Sequence, residues 1–154
     1  MIHILSPIVR AVTVATLVAA CSHSSGTNPD GVPANGAASV NVTPTVSQAV
    51  SLSPASPASG TNVGVRSVLT NRGTSAFALT SRICGLDYAG TLSLTHPPEV
   101  LKCAGYSQSL TILPGDSLVT LDYMRVSSAA GMYTLRVKHA LQPEAWAEMQ
   151  VQVR

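Results

Sequence analysis

An all-β, immunoglobulin-like antiparallel sandwich of seven or eight strands is the fold the sequence predicts, and three observations predict it. Apolar and polar residues alternate over short runs from residue 45 onward. Clusters of Pro, Gly, Asn and Ser interrupt those runs at short intervals. The 11 Gly and 10 Pro in 154 residues, with aromatic residues at only 4%, argue against a long helical fold. A period of two places alternate side chains on opposite faces, as in a half-buried strand of an antiparallel sheet. Many short strands broken by turn residues suit two packed sheets. A closed barrel satisfies the same alternation and is the competing architecture.

Taken in order, Val46, Val50 and Leu52 alternate with Ser47, Ala49 and Ser51 and predict a strand over 45–53, ended by Pro54 and Pro57. Val63, Val65 and Leu69 predict a strand over 62–70 with Arg66 and Thr70 turned outward. Asn71-Arg72-Gly73 then suits a three-residue hairpin, its Gly free to take positive φ. Phe77, Leu79 and Ser81 share one face of a third strand over 75–83. Less regular segments follow at 88–94 and 108–113, the second ending in the turn Leu113-Pro114-Gly115-Asp116. Val119, Leu121 and Tyr123 mark a strand over 117–124, which puts Asp122 outward. Tyr133, Leu135 and Val137 define the next, and Ala147, Met149, Val151 and Val153 the last. Trp146 lies on the parity opposite Met149, where it covers an edge, is turned inward by a local bulge, or serves as a binding anchor.

The chain before this region has a different character. From Ala11 to Ala20 it runs without a charge, about the size of a signal-peptide core and short of the ~20 apolar residues a spanning helix needs. Residues 22–44 are rich in Ser, Gly, Asn, Pro and Ala and bury too little apolar surface to offset ordering, so 21–44 reads as a flexible tether and 45–154 as the folded domain. Leu17-Val18-Ala19-Ala20-Cys21 resembles the lipobox of bacterial lipoproteins. The resemblance implies that residues 1–20 are a signal peptide, and that Cys21 becomes the first mature residue and carries fatty acyl groups such as palmitate. Two or three acyl chains anchor firmly where one binds only marginally. Ser22, in place of the aspartate linked to inner-membrane retention in enteric bacteria, favours the outer membrane in an organism that has one.

With Cys21 set apart for lipid, Cys84 and Cys103 form an even pair in an oxidising compartment, and one disulfide between them is expected. A metal site from these cysteines with His96 and His139 has no compact ligand spacing, so no metal and no cofactor is expected. No phosphate loop, His-Glu-x-x-His or serine elbow occurs. Asp116 and Asp122 do not make a carboxylate pair, and serines with His139 form a triad only if the fold assembles one. The expectation is a protein with no catalytic residues. Loss of residues 1–20 removes Arg10 and leaves eight basic against seven acidic side chains, with no basic cluster to bind nucleic acid. The expected partners are the lipid bilayer, through Cys21, and a protein. That protein would be met by the segments 84–103 and 124–131 or by an open edge strand.

Leu69-Thr70-Asn71, Leu113-Pro114-Gly115-Asp116-Ser117 and Gly131-Met132-Tyr133-Thr134-Leu135, in that order, resemble the bacterial intracellular proteinase inhibitor family over residues 46–141. The resemblance implies a small immunoglobulin-like sandwich and, as the alternative function, inhibition of a periplasmic or surface proteinase. The central segment departs from the family by carrying Ile83-Cys84-Gly85 and Lys102-Cys103-Ala104, and no reactive loop carries over. The principal expectation is an envelope lipoprotein whose sandwich binds a protein or supports an assembly.

Overall fold

The alternation is realised as antiparallel pairing throughout. The computed structural model describes residues 35–82, 85–96 and 107–154. They form β1 (Ala37–Asn41), β2 (Val46–Ser53), β3 (Asn62–Asn71), β4 (Phe77–Arg82), β5 (Asp87–Gly90), β6 (Leu94–Thr95), β7 (Ser107–Ile112), β8 (Ser117–Val126), β9 (Gly131–Lys138), β10 (Ala140–Gln142) and β11 (Ala147–Val153). One sheet has the order β1-β2-β3-β8-β6, and the other layer is built from β10-β4-β7 and β11-β9-β5. The core identifies the two layers. Val50, Val65, Met124 and Val126 of the first pack with Leu135, Val137, Met149 and Val151 of the second. A smaller cluster joins Val46 and Leu69 to Leu79 and Ile112. The chain is therefore an all-β, immunoglobulin-like sandwich, in which seven of the eight expected strands are found and the eighth is divided in two.

Several local expectations are corrected. Asn71-Arg72-Gly73 does not close a hairpin, because β3 pairs with β2 and β8 while β4 pairs with β7 and β10 in the other layer. Gly73 also stays outside the positive-φ region. The reason is Asn71, which is buried and pins a crossover. Its Nδ2 donates to Ser75 O (2.9 Å) and Ile112 O (3.0 Å), and its Oδ1 accepts from Gly73 N (2.9 Å). Its main chain is tied to the turn before β8, with Gly115 N donating to Asn71 O and Asn71 N to Asp116 O. That turn has the expected form, with Asp116 N donating to Leu113 O and Gly115 at φ 81, but it too joins strands of different layers. The single strand expected over 88–94 is split. β5 pairs with β9, and β6 pairs with β8 in the other sheet.

The folded domain starts before residue 45. β1 lies inside the expected tether and pairs with β2 from Ala37–Ser51 to Asn41–Ser47. What holds it is the pair that precedes it. Gly36 N donates to Gln150 O of β11 and Gly36 O accepts from Leu52 N of β2, so one residue joins both layers. Asn35 Oδ1 accepts from Gln152 N (2.9 Å), and its Nδ2 donates to Ser56 Oγ. Composition marks these residues as polar and small but is blind to such long-range partners. The signal segment, Cys21, residues 22–34, Cys84 and Cys103 lie outside the described residues.

Gly36 sits at φ +69, and a Cβ there would meet Ala55 O at 2.7 Å. Gly36→Ala is expected to destabilise the fold by about 1–3 kcal/mol, read as a lowered urea midpoint with an unchanged m-value.

Candidate interaction surfaces

The side chains of β8 face the reverse of the sequence expectation at their most distinctive positions. Asp122 is buried, together with Met124 and Val126, while Val119, Leu121 and Tyr123 are 47%, 60% and 61% exposed. The inward parity is apolar at both ends of the strand and polar in the middle, where Thr120 and Asp122 meet partners from the other layer. Asp122 Oδ2 accepts from Tyr88 Oη at 2.9 Å and from Leu86 N at 3.4 Å, and Oδ1 accepts from Tyr123 N at 2.8 Å. Burial, and then the adjacent carboxylate, push the Tyr88 hydroxyl well above its ordinary pKa. Gly85, at φ +79, passes so close that a Cβ would come within 2.7 Å of Asp122 Oδ2. The signal available in sequence was the shared parity of Leu118, Met124 and Val126.

His139 lies at the point where pairing passes from β5, which ends on β9 at Asp87–Lys138, to β4, which meets β10 from Ser81–Ala140. The imidazole crosses the core. Nδ1 is 3.1 Å from Ser67 Oγ and Nε2 is 2.9 Å from Thr120 Oγ1, and those two residues are direct cross-strand partners of β3 and β8. A neutral ring satisfies both contacts, one nitrogen donating and the other accepting. The carbonyls flanking the junction are also taken by side chains. Gln48 Nε2 donates to Val137 O (3.3 Å) and Ser81 Oγ to His139 O (3.1 Å).

A serine hydrogen-bonded to a histidine raises the question of nucleophilic catalysis. Ser67 is 0% and His139 4% exposed, so no substrate reaches this pair, and the ring's second nitrogen meets a threonine where a triad has a carboxylate. This is a polar bridge between sheets. Among the described residues no group of three or more His, Cys, Asp or Glu is placed to hold a metal, and His96 is exposed at the end of β6. The expected contact loop 124–131 is also revised. Met124 and Val126 are core residues of β8, and Ser128 is buried with its Oγ accepting from Ser93 N (2.9 Å).

Two surfaces have the character of contacts. The first is the outer face of the five-stranded sheet, where Val119, Leu121 and Tyr123 form a ridge beside Val68, the register partner of Val119. Outward positions of an antiparallel sheet are ordinarily polar, and adjoining exposed apolar side chains mark binding surfaces. The second is the edge of β7. Its pairing with β4 runs from Phe77–Ile112 to Arg82–Ser107 without a shift, and among the described residues β4 is its only strand partner.

Trp146 points outward, as its parity predicts, onto a charged patch. Lys138 Nζ is 4.7 Å and Arg136 Cζ 5.1 Å from the ring centroid, and the indole N–H donates to Glu144 Oε1 at 2.7 Å. That hydrogen bond, with Lys138 beside it, holds the Glu144 carboxyl below its ordinary pKa. Asp87 and Glu148 complete a local set of opposite charges. The ring is covered by its neighbours rather than held out as an anchor.

No family model matches the chain, and no curated protein matches it. Among solved structures, the ASH / PapD-like domain of human CEP192 (PapD-like domain 7) is similar at 13% sequence identity over 96% of each chain, with a TM-score of 0.34. The sandwich itself is established by strand pairing and by the core that joins the layers.

Two outcomes follow from the buried groups. Burial lowers the His139 pKa from 6.5 to about 4. Between those values the unfolded chain binds a proton that the folded chain excludes, so stability is full above pH 6.5 and falls as the pH drops toward 4. The loss is at most about 3 kcal/mol. Urea unfolding between pH 7.5 and 4 should show this decline, and His139→Gln should flatten it while lowering stability throughout. Tyr88→Phe removes a hydrogen bond to a buried carboxylate and should cost about 1.5–3 kcal/mol, measured the same way at pH 7.

Proposed function

We propose that this chain is a non-enzymatic cell-envelope lipoprotein, anchored through acylated Cys21, whose sandwich binds a protein or supports an assembly by strand addition along β7. The edge of β7 is the observation that carries the binding role. An edge strand presents main-chain donors and acceptors in a row, and sandwiches ordinarily blunt it with charge, proline, a bulge or short length. Ser107–Ile112 reads Ser-Gln-Ser-Leu-Thr-Ile, with no charge and no proline, and its register carries no bulge. The other borders are short or tied: β5 has four residues and β10 three. β6 is two residues long, and β1 and β11 are stitched together through Gly36 and Asn35. A partner strand laid along β7 would gain main-chain hydrogen bonds, with specificity read from alternate side chains.

The anchor is supported by the lipobox resemblance at Leu17–Cys21 and by the spacer composition of the residues after it. Ser22 after Cys21 favours the outer membrane in an organism that has one. The expected Cys84–Cys103 disulfide would brace the stretch between β4 and β7, in keeping with an oxidising compartment.

Two measurements test this. Metabolic labelling with a palmitate analogue should mark the wild-type chain and leave Cys21→Ala unmarked. Crosslinked pull-down from native envelopes should recover a specific protein with the wild type, and at least about tenfold less with Ser109→Lys/Thr111→Lys, which puts charge on the edge. Equal recovery, with unchanged urea midpoints, would sink strand addition. Dose-dependent inhibition across a protease panel, lost in the same variant, would identify the partner as a proteinase and favour the inhibitor reading.

A further inference from the structure

We infer that the outer face of the five-stranded sheet rests on an anionic phospholipid surface, that of the bilayer holding Cys21. The inference relies on the lipid-anchor half of the reading above and goes beyond it, because it gives the sandwich a fixed face toward the membrane and leaves the β7 layer turned away.

Three observations converge on this occupant. The face is broad and low apart from one ridge. β8 contributes Val119, Leu121 and Tyr123, while the outward positions of β1 and β2 carry only Ser, Ala and one Asn. Such a surface suits the headgroup region, where tyrosine is enriched for its apolar body and polar tip. Among the described residues the charge is one-sided. Arg66 and Arg125 are the charged residues at outward positions of these strands. Asp122 is turned into the core, and Asp87, Glu144 and Glu148 stand with Arg136 and Lys138 on the opposite layer. Asp116 lies in the turn that precedes Ser117, at the end of β8 away from Tyr123. Guanidinium groups on an apolar face fit phosphodiester headgroups. The same one-sided charge disfavours a second copy, which would set arginines against arginines.

The third observation is where the chain enters. β1 is an edge strand of this same sheet, and Ala37 begins it in the row of Ser51, whose partner Arg66 pairs with Leu121. Thirteen residues separate Cys21 from Asn35. A polar chain of that length spans about 20 Å on average and at most about 45 Å. An acylated Cys21 would therefore keep this edge close to the headgroups, where contacts too weak to recruit a free protein act at millimolar effective concentration.

The test uses the mature chain, residues 21–154, with Cys21→Ser, which carries neither the apolar segment before residue 21 nor an acyl group, so that only the face is measured. Tyr123→Trp with Trp146→Phe supplies one reporter on the ridge, and Leu121→Trp with Trp146→Phe supplies a second. Vesicles of phosphatidylethanolamine with phosphatidylglycerol and cardiolipin should shift both reporters to the blue, less so as salt rises. Phosphatidylcholine vesicles should not, and native Trp146 on the opposite layer should not respond to either. Arg66→Glu/Arg125→Glu should weaken the response at least about tenfold. The inference is overturned by no shift, by an equal shift with phosphatidylcholine, or by a response at Trp146. Sedimentation showing a dimer that Leu121→Ser dissolves would overturn it in favour of a second copy. Failure of the anchor would show separately, as absence of palmitate labelling on the wild-type chain.

Discussion

The bridge from His139 to Ser67 and Thr120 is the interaction on which the arrangement of the sandwich turns. At His139 one long strand exchanges its neighbour, with β9 paired to β5 before it and β10 paired to β4 after it. Such a junction leaves main-chain groups without regular ladder partners, and buried carbonyls must find them elsewhere. Gln48 and Ser81 supply two of these, and the imidazole spans the core to a cross-strand pair of the facing sheet. The polar belt so formed divides an apolar core into the larger cluster around Val65, Leu135 and Met149 and the smaller one around Val46, Leu69 and Ile112. Apolar packing is tolerant of sliding; a ring held at both nitrogens is not. The bridge therefore sets the two layers in one relative position.

From that fixed position the borders of the sandwich follow. On one side β1 and β11 are joined through Asn35 and Gly36, which closes the gap between layers. On the other side β7 stands, among the described residues, as a six-residue edge paired on β4. Asn71 performs at the crossover what His139 performs at the strand junction, since its amide and main chain lock the β3–β4 connection onto the turn before β8. Two of the segments that resemble the proteinase inhibitor family, around Asn71 and around Gly115, thus meet in space. Their shared work here is to route the chain from one sheet to the other, a task of the fold.

The strands were largely legible from alternation, because a half-buried strand must alternate whatever it packs against. β2, β3 and β11 are the clearest cases, and each buries the face its sequence indicates. β8 resists a local reading because its apolar residues fall on both parities. The deciding partners of Thr120 and Asp122 lie 19 and 34 positions away at His139 and Tyr88. Local pattern prefers to bury Leu121 and Tyr123; the core instead needs two hydrogen-bonding groups at the junction. The outward ridge, which is the site proposed for the membrane, is the consequence of that inversion and was not visible beforehand. β1 escapes a local reading for a related reason, since Gly36 and Asn35 are ordered by contacts to β11 at the far end of the chain.

The sequence by itself determined the fold class, most strand positions and the turns at Pro and Gly. These are properties of neighbouring residues, set by side-chain period and by backbone freedom. Only the tertiary structure decided which strands pair, which face of β8 is buried, that Ser67 and His139 are sealed from solvent, and that β7 is an edge. Each of these depends on groups brought together across the two layers, where burial makes an unpartnered polar atom costly and a satisfied one decisive.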